Sequence, residues 1–381
     1  MRKKDYLPLN WVDGLKLTSR HFIENQHSQT EALNNEAARN IASYNYGLGD
    51  YFDSTASNLE IEISGDTVLT VSVKLKSCNA ITQGGIPIFY YDGLYGDYVP
   101  CATIPESSVQ SESSVYAVIV SVDPYQQIPV GEPDPDEIPL HHPYVLPSIG
   151  LHLIPKSQVN KPFFTKNFLQ IAEVCKQGNT YTLNRNYIPP VQRSAYHTDV
   201  KAFILQLSQT LDNIRNNIIL IYSRNISERR RGILTDNTLL LCKAFFSFYD
   251  HQIFFIKQLA PELPPIYLVQ AMNELANSIS STLQSISEAE KEELLQYYYE
   301  WTDIIPSDFI KGIEDVTALV YSHTDISHSL QVTSIFISLL SRMFKKMCEL
   351  EYIGMARENI VVSDESIVDN PPIEKKRWSF M

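Results

Sequence analysis

The sequence predicts an α+β protein: an N-terminal antiparallel β-sandwich followed by a C-terminal α-helical bundle. Three observations predict it. Apolar residues recur with a period of two across residues 57–190 and at spacings of three and four across 191–355. The pair Pro189-Pro190 marks the change between them. An arm and helix over 1–56 and a polar tail over 356–381 complete the division.

The alternation is plain in LEIEI, where Leu59, Ile61 and Ile63 share a face, and in LTVSVKL, where Leu69, Val71, Val73 and Leu75 do. IGLHLI repeats it with Ile149, Leu151 and Leu153, and IPIFYY, VYAVIVSV and FLQIAEV add aromatic and β-branched runs. No long helical pattern separates these runs, which favours a sandwich over a βαβ fold. Seven prolines fall between Pro124 and Pro147, so that stretch is expected to be a long ordered loop rather than strand. Gly84-Gly85 reads as a turn between strands.

In the helical half, Phe203, Leu207, Leu211, Ile214, Ile218 and Ile221 place one face of a helix from about Tyr196 to Arg224. A second, Asp236 to about Leu259, is apolar almost all round through Phe245, Phe248, Tyr249 and Phe255, so its whole circumference is expected to be covered by protein. A third follows Pro264-Pro265. A fourth opens at Ser287 with Glu290 three residues on, a capping box. Further helices follow Pro306 and Asp325. Short connections imply antiparallel neighbours.

Composition excludes several functions. A formal net charge of -13 removes the electrostatic footprint of a nucleic-acid binder. Cys78, Cys101, Cys175, Cys242 and Cys348 are odd in number and widely spaced, so a reducing, cytoplasmic setting without disulfides or structural zinc is expected. The apolar segment from Val332 meets Arg342 well short of a membrane span. His323, Asp325 and His328 lack the spacing of metal ligands on one helix face, and Asp325 suits a helix cap. Asp250-His251 do not face each other on a helix, and no phosphate loop or hydrolase motif occurs. No catalytic residue, cofactor or metal is expected.

The arm, WVDGLKLTSRHF, is the unusual segment. Asp13-Gly14 reads as a turn, and Thr18 or Ser19 as the cap of a helix reaching about Tyr44, with a stripe of Leu33, Ala37, Ile41 and Tyr44. Trp11, Leu15, Leu17 and Phe22 are large apolar groups that need a pocket, either in a partner or in the chain's own β domain. His21 suits a hydrogen-bonding role at the helix start.

At the spacing of Trp11, Asp13, Gly14, Leu15, Leu17, His21 and Phe22 the arm resembles the N-terminal signature of the TssK family of type VI secretion baseplate subunits. YNYGLGDY, IGLHLIPKSQ, YIPPVQ, PPIYLVQAMNELANSIS, YYYEWTDIIPSDF and YSHTDISHSL extend the likeness in the same order. Ser19-Arg20 stand where the family has Pro-Gln, Ile23 replaces the next Gln, and Thr82-Gln83-Gly84-Gly85 a Pro-Asp-Gly turn.

The resemblance implies a homotrimeric, cytoplasmic structural adaptor whose shell joins the wedge proteins TssF and TssG and whose far end reaches a membrane-anchoring complex. The implied partner interface is Trp11, Gly14, Leu15, Leu17, His21 and Phe22, and the implied trimer and bundle core is Phe245, Phe248, Tyr249 and Phe255. Family members continue past the bundle into a head, so the tail from Arg357 is expected to dock differently, or another membrane anchor to serve. The competing reading is a β-sandwich enzyme or carbohydrate-binding protein with an accessory helical domain, its carboxylates far apart in sequence.

Overall fold

The computed structural model describes residues 5–52, 57–65, 71–103, 115–159, 166–177, 180–225 and 232–355. The tail 356–381 and the basic run at Arg229 lie outside the described residues. A single helix, α1 (Ser19–Arg39), precedes the strands. One sheet is built around β3 (Val71–Ile81). It pairs with β1 (Gly47–Leu48) and β2 (Leu59–Gly65) on one side, and with β4 (Pro87–Tyr91) and β5 (Cys101–Thr103) on the other. The other has the order β7 (Tyr144–Pro155), β6 (Val115–Val130), β8 (Phe168–Gln177), β9 (Thr180–Leu183). All of these pairings are antiparallel.

The period of two works as expected: Val71, Val73 and Leu75 are buried while Lys74 points outward. They share one core with Val118, Val120, Leu169 and Ile171 of the other sheet. Tyrosines tie the sheets at their rim, the hydroxyls of Tyr95 and Tyr98 donating to the carbonyls of Pro147 (2.8 Å) and Ile149 (2.6 Å).

The proline-rich stretch corrects the expectation of a loop. β6 continues to Val130 and β7 starts at Tyr144, so only 131–143 connect them. Pro124 falls where the register shifts between Asp123 and Gln127, and beyond Ser121 β6 is paired with β7 alone. A two-stranded extension has free edges, and there a missing N–H costs nothing.

The bundle comprises α2 (Thr198–Asn225), α3 (Ile233–Phe254), α4 (Ile266–Gln284), α5 (Glu288–Thr302), α6 (Pro306–Thr317) and α7 (Ile326–Glu349). Its starts follow the local signals: Ser287 Oγ accepts from the Glu290 amide, and Asp325 Oδ1 from the His328 amide. α2 and α7 run parallel. Phe203, Leu207 and Thr210 lie beside Ser334 to Lys345, while Arg224 reaches the Cys348 and Leu350 carbonyls.

Within the single chain α3 is covered on part of its circumference. Phe245 and Phe248 are buried in the chain's own core, Tyr249 and Phe255 are half-buried, and Leu240, Phe254 and Leu259 stay exposed. After Phe254 the helix widens into a π-turn, Phe255–Leu259, which brings Lys257 Nζ to 2.8 Å from Asp212. The stretch Ile233–Glu262 is long and apolar enough to cross a bilayer. Here it packs on α2, α4 and α5.

The halves are pinned together. Leu48 N donates to Pro190 O (2.8 Å) and Gln192 N to Leu48 O (3.0 Å). Asn58 Nδ2 bonds both the Gly49 and Tyr196 carbonyls at 2.8 Å. Ile188 N donates to Ser327 Oγ (3.0 Å) at the start of α7. Gly47 has φ +107°, and a Cβ there would sit 2.0 Å from the Pro190 carbonyl, so only glycine permits this crossing.

Candidate functional site

The arm is held at one end and exposed at the other. Its start is tied back on α1: the amides of Asp5 and Tyr6 donate to the two carboxylate oxygens of Glu31, at 2.9 and 3.0 Å. Glu31 is the buried residue of α1, where a carboxylate receiving two N–H donors replaces the water it loses. The Tyr6 ring packs on His27 (centroids 4.9 Å) and on Tyr125 of β6 (4.4 Å). This wedge joins arm, helix and shell.

α1 meets the shell again at Gly85, in the turn between β3 and β4. Gly85 has φ +83°, and a Cβ there would come within 2.6 Å of the Ala38 amide nitrogen. The glycine pair is thus more than a turn: Gly85 lets the backbone of α1 lie directly on the hairpin, and a Cβ on Gly84 would strike the backbone of Lys166. The expected stripe of Leu33, Ala37, Ile41 and Tyr44 is only partly the contact face: Ile41 packs on the core and Ala37 and Tyr44 are half-buried, but Leu33 is not. α1 ends at Arg39 and Leu33 is 72% exposed, because Glu31, Asn34 and Ala38 face inward instead.

Beyond Tyr6 the arm opens to solvent. Trp11 is 49%, Leu17 57% and Phe22 59% exposed, with Val12 and Ile23 beside them. Leu15 is half-buried, and Gly14, φ +81°, makes the turn with open space around it. His21 serves the helix start. Its Nδ1 accepts from the Thr18 amide (3.3 Å), the reciprocal half of a capping box usually made by Glu or Gln, and its ring lies 6.5 Å from that of Trp11.

The shell carries two exposed apolar features, the second of them within the proline-rich stretch that the sequence marks. Phe52, Phe89 and Tyr91 form an aromatic cluster on edge strand β4, with ring centroids 5.0 to 6.0 Å apart. IPIFYY already alternates, and the outward phase of Phe89 and Tyr91 is the signal that marks them. The other is the end of the β6–β7 hairpin, with Ile138, Leu140 and Tyr144 exposed. Tyr6, Glu31 and Tyr125, which position the arm, carry no periodic signal.

The buried histidine is structural. His323 donates from Nε2 to the Tyr46 carbonyl (2.8 Å), and its Nδ1 accepts from the Tyr321 hydroxyl (2.7 Å). Burial pushes its pKa down to about 4. A cavity of about 490 Å³ at the junction of the halves is lined by Lys156, Glu173, Asn184, Tyr187 and Asp325. Both carboxylates are engaged: Glu173 accepts from Lys156 (2.5 Å) and Asn184 (3.0 Å), and Asp325 caps α7. Among the described residues no group of three or more His, Cys, Asp or Glu is placed to hold a metal ion.

An antiparallel two-sheet shell is thus pinned to a helical bundle, with an apolar arm turned outward. No protein-family model matches the chain, and no curated protein does. Solved structures do, and the fold is that of TssK. A crystal structure of TssK is 14% identical, covering 88% of this chain and 70% of its own, with a TM-score of 0.54. A chain of the type VI secretion TssK–TssF–TssG baseplate subcomplex, seen by cryo-electron microscopy, is also 14% identical. That match covers 90% of this chain and 99% of the other, with a TM-score of 0.50. At this identity the likeness is one of fold.

Proposed function

We propose that this chain is a non-catalytic structural component of a type VI secretion baseplate, a TssK-type adaptor that works as a homotrimer in the cytoplasm. Its shell, through Trp11, Gly14, Leu15, Leu17, His21 and Phe22, binds wedge proteins of the TssF and TssG kind, and its other end connects to a membrane-anchoring complex. The observation that carries the reading is the arm. Its base is locked to the shell through Glu31 and Tyr6, while Trp11, Leu17 and Phe22 remain in water. At about half exposed, each such side chain forgoes roughly half of the 1.5–3 kcal/mol of full burial, which a docking partner recovers. The shared fold with a chain of a TssK–TssF–TssG complex supports that class of partner.

The exposed Leu240, Phe254 and Leu259 of α3 and its π-turn supply apolar surface on the helical half for self-association. Sedimentation at micromolar concentration tests the self-association arm of the proposal. A species of three times 43.4 kDa is expected, and a 43.4 kDa monomer alone would remove the trimer.

A further inference from the structure

The parallel packing of α2 against α7 leaves a groove of about 310 Å³ on the outside of the bundle. Its floor is apolar, formed by Phe203, Leu207 and Ile337. Its rim carries Arg342 and Lys345. Both cations are exposed, and neither has a carboxylate in salt-bridge contact among the described residues. Lys346 next door, by contrast, is taken by Glu349, and Lys257 by Asp212.

An apolar floor with a cationic rim selects an extended acidic peptide with apolar residues between its carboxylates. We propose that the occupant is this chain's own segment 356–381, docked in the α2–α7 groove. The first part of that segment has the required pattern. Ile360, Val361 and Val362 lie between Glu358 and Asp364-Glu365, Ile367 and Val368 lie between Glu365 and Asp369, and no lysine or arginine interrupts 358–369. α7 rises about 1.5 Å per residue, so Ser338 lies about 17 Å back from Glu349. After Glu349 the chain passes Asn225, Thr235 and Tyr297 at Ile353 and Gly354, and the 26 residues beyond Met355, at about 3.3 Å each, extend to about 86 Å, enough to return along α7. Docking would neutralise both rim cations and cover the floor. The inference rests on the groove and does not depend on the baseplate reading.

Zero-length carbodiimide coupling of the full chain tests it, using an equal mixture of isotopically light and heavy protein. Lys345 is expected to couple to carboxylates in 358–369 within one chain, light to light and heavy to heavy. R342E, an exposed change that leaves Lys345 as reporter, is expected to lower that yield at least fivefold with circular dichroism unchanged. Replacing Val361 and Val362 by serine, outside the bundle core, is expected to lower it similarly. Coupling at Lys345 no greater than at exposed Lys201 and Lys311 would overturn the proposal. Predominant heavy-to-light coupling would overturn it in favour of a second copy as occupant.

Discussion

His323, in the turn before α7, donates from Nε2 to the main-chain carbonyl of Tyr46, 277 residues earlier and 2.8 Å away, at the entrance to the first sheet. The ring is 4% exposed and its other nitrogen is taken by Tyr321. This bond fixes the bundle to the shell, and it requires a neutral imidazole with its proton on Nε2.

Stability is therefore expected to fall in mild acid. The native pKa is about 4, below the ordinary 6.5, so between those values the unfolded chain binds a proton that the native one refuses. The contribution is complete above pH 6.5 and is lost as pH falls towards 4, by about 3 kcal/mol at the limit. Tyr46, its pKa raised to about 12 by burial, does not titrate in that window. Urea midpoints at pH 7 and pH 5 should separate more for the native chain than for H323Q, which keeps a donor without titrating. Equal separations would show that His323 is not the group responsible.

Gly85→Ala should loosen α1. The new methyl would meet the Ala38 amide nitrogen at 2.6 Å, on a backbone of positive φ. A cost of at least about 1 kcal/mol is expected. Faster tryptic cleavage at Arg20 and Arg39, with the sheets still intact by circular dichroism, is the signature. An unchanged cleavage rate would mean that α1 does not rely on this contact.

Much of the bundle was legible because its signals are local. Ser287, Asp325 and Pro264-Pro265 each set a helix start through their own neighbours, and the spacing from Phe203 to Ile221 placed the buried side of α2. The alternation of Val71, Val73 and Leu75 set the shell in the same way. What failed was non-local. Pro129 and Pro147 are tolerated because their strands run past the edge of the sheet, a fact of topology. α1 docks through Glu31 and against a glycine, leaving its apolar Leu33 outside, so periodicity misplaced that residue while Ile41 packs on the core. The exposed arm residues could be named from sequence, but their anchors Tyr6, Glu31 and Tyr125 could not, since hydrophobic pattern does not register a buried carboxylate.

Truncating Phe245 and Phe254 should give opposite results. Phe245 is fully buried, its ring 6.0 Å from that of Phe344, and Phe245→Ala should cost about 3–5 kcal/mol. Phe254 is 67% exposed, so Phe254→Ser should change the stability of the isolated fold by less than about 0.5 kcal/mol. If α3 and its π-turn form part of the trimer contact, that same change should lower the mass seen at micromolar concentration. A large loss of helix in Phe254→Ser would place that ring in the chain's own core.

Glu31→Ala should free the base of the arm without unfolding the shell. Hydrogen exchange at the amides of Asp5 and Tyr6 is the direct readout, because both donate to that carboxylate. Faster exchange there, with protection in β3 and β6 unchanged, is expected. Unchanged exchange at both amides would show that the tether is not formed in solution.

The central claim is that the exposed end of the arm binds baseplate wedge proteins. Affinity capture from the native cytoplasm tests it most directly, comparing the unmodified chain with one carrying Trp11→Ser, Leu17→Ser and Phe22→Ser. These side chains are 49%, 57% and 59% exposed, so their loss should spare the fold. The unmodified chain is expected to retain proteins of the TssF and TssG kind, and the variant, folded and of unchanged mass, to lose most of them. Equal retention by both chains, or no wedge protein with either, would contradict it.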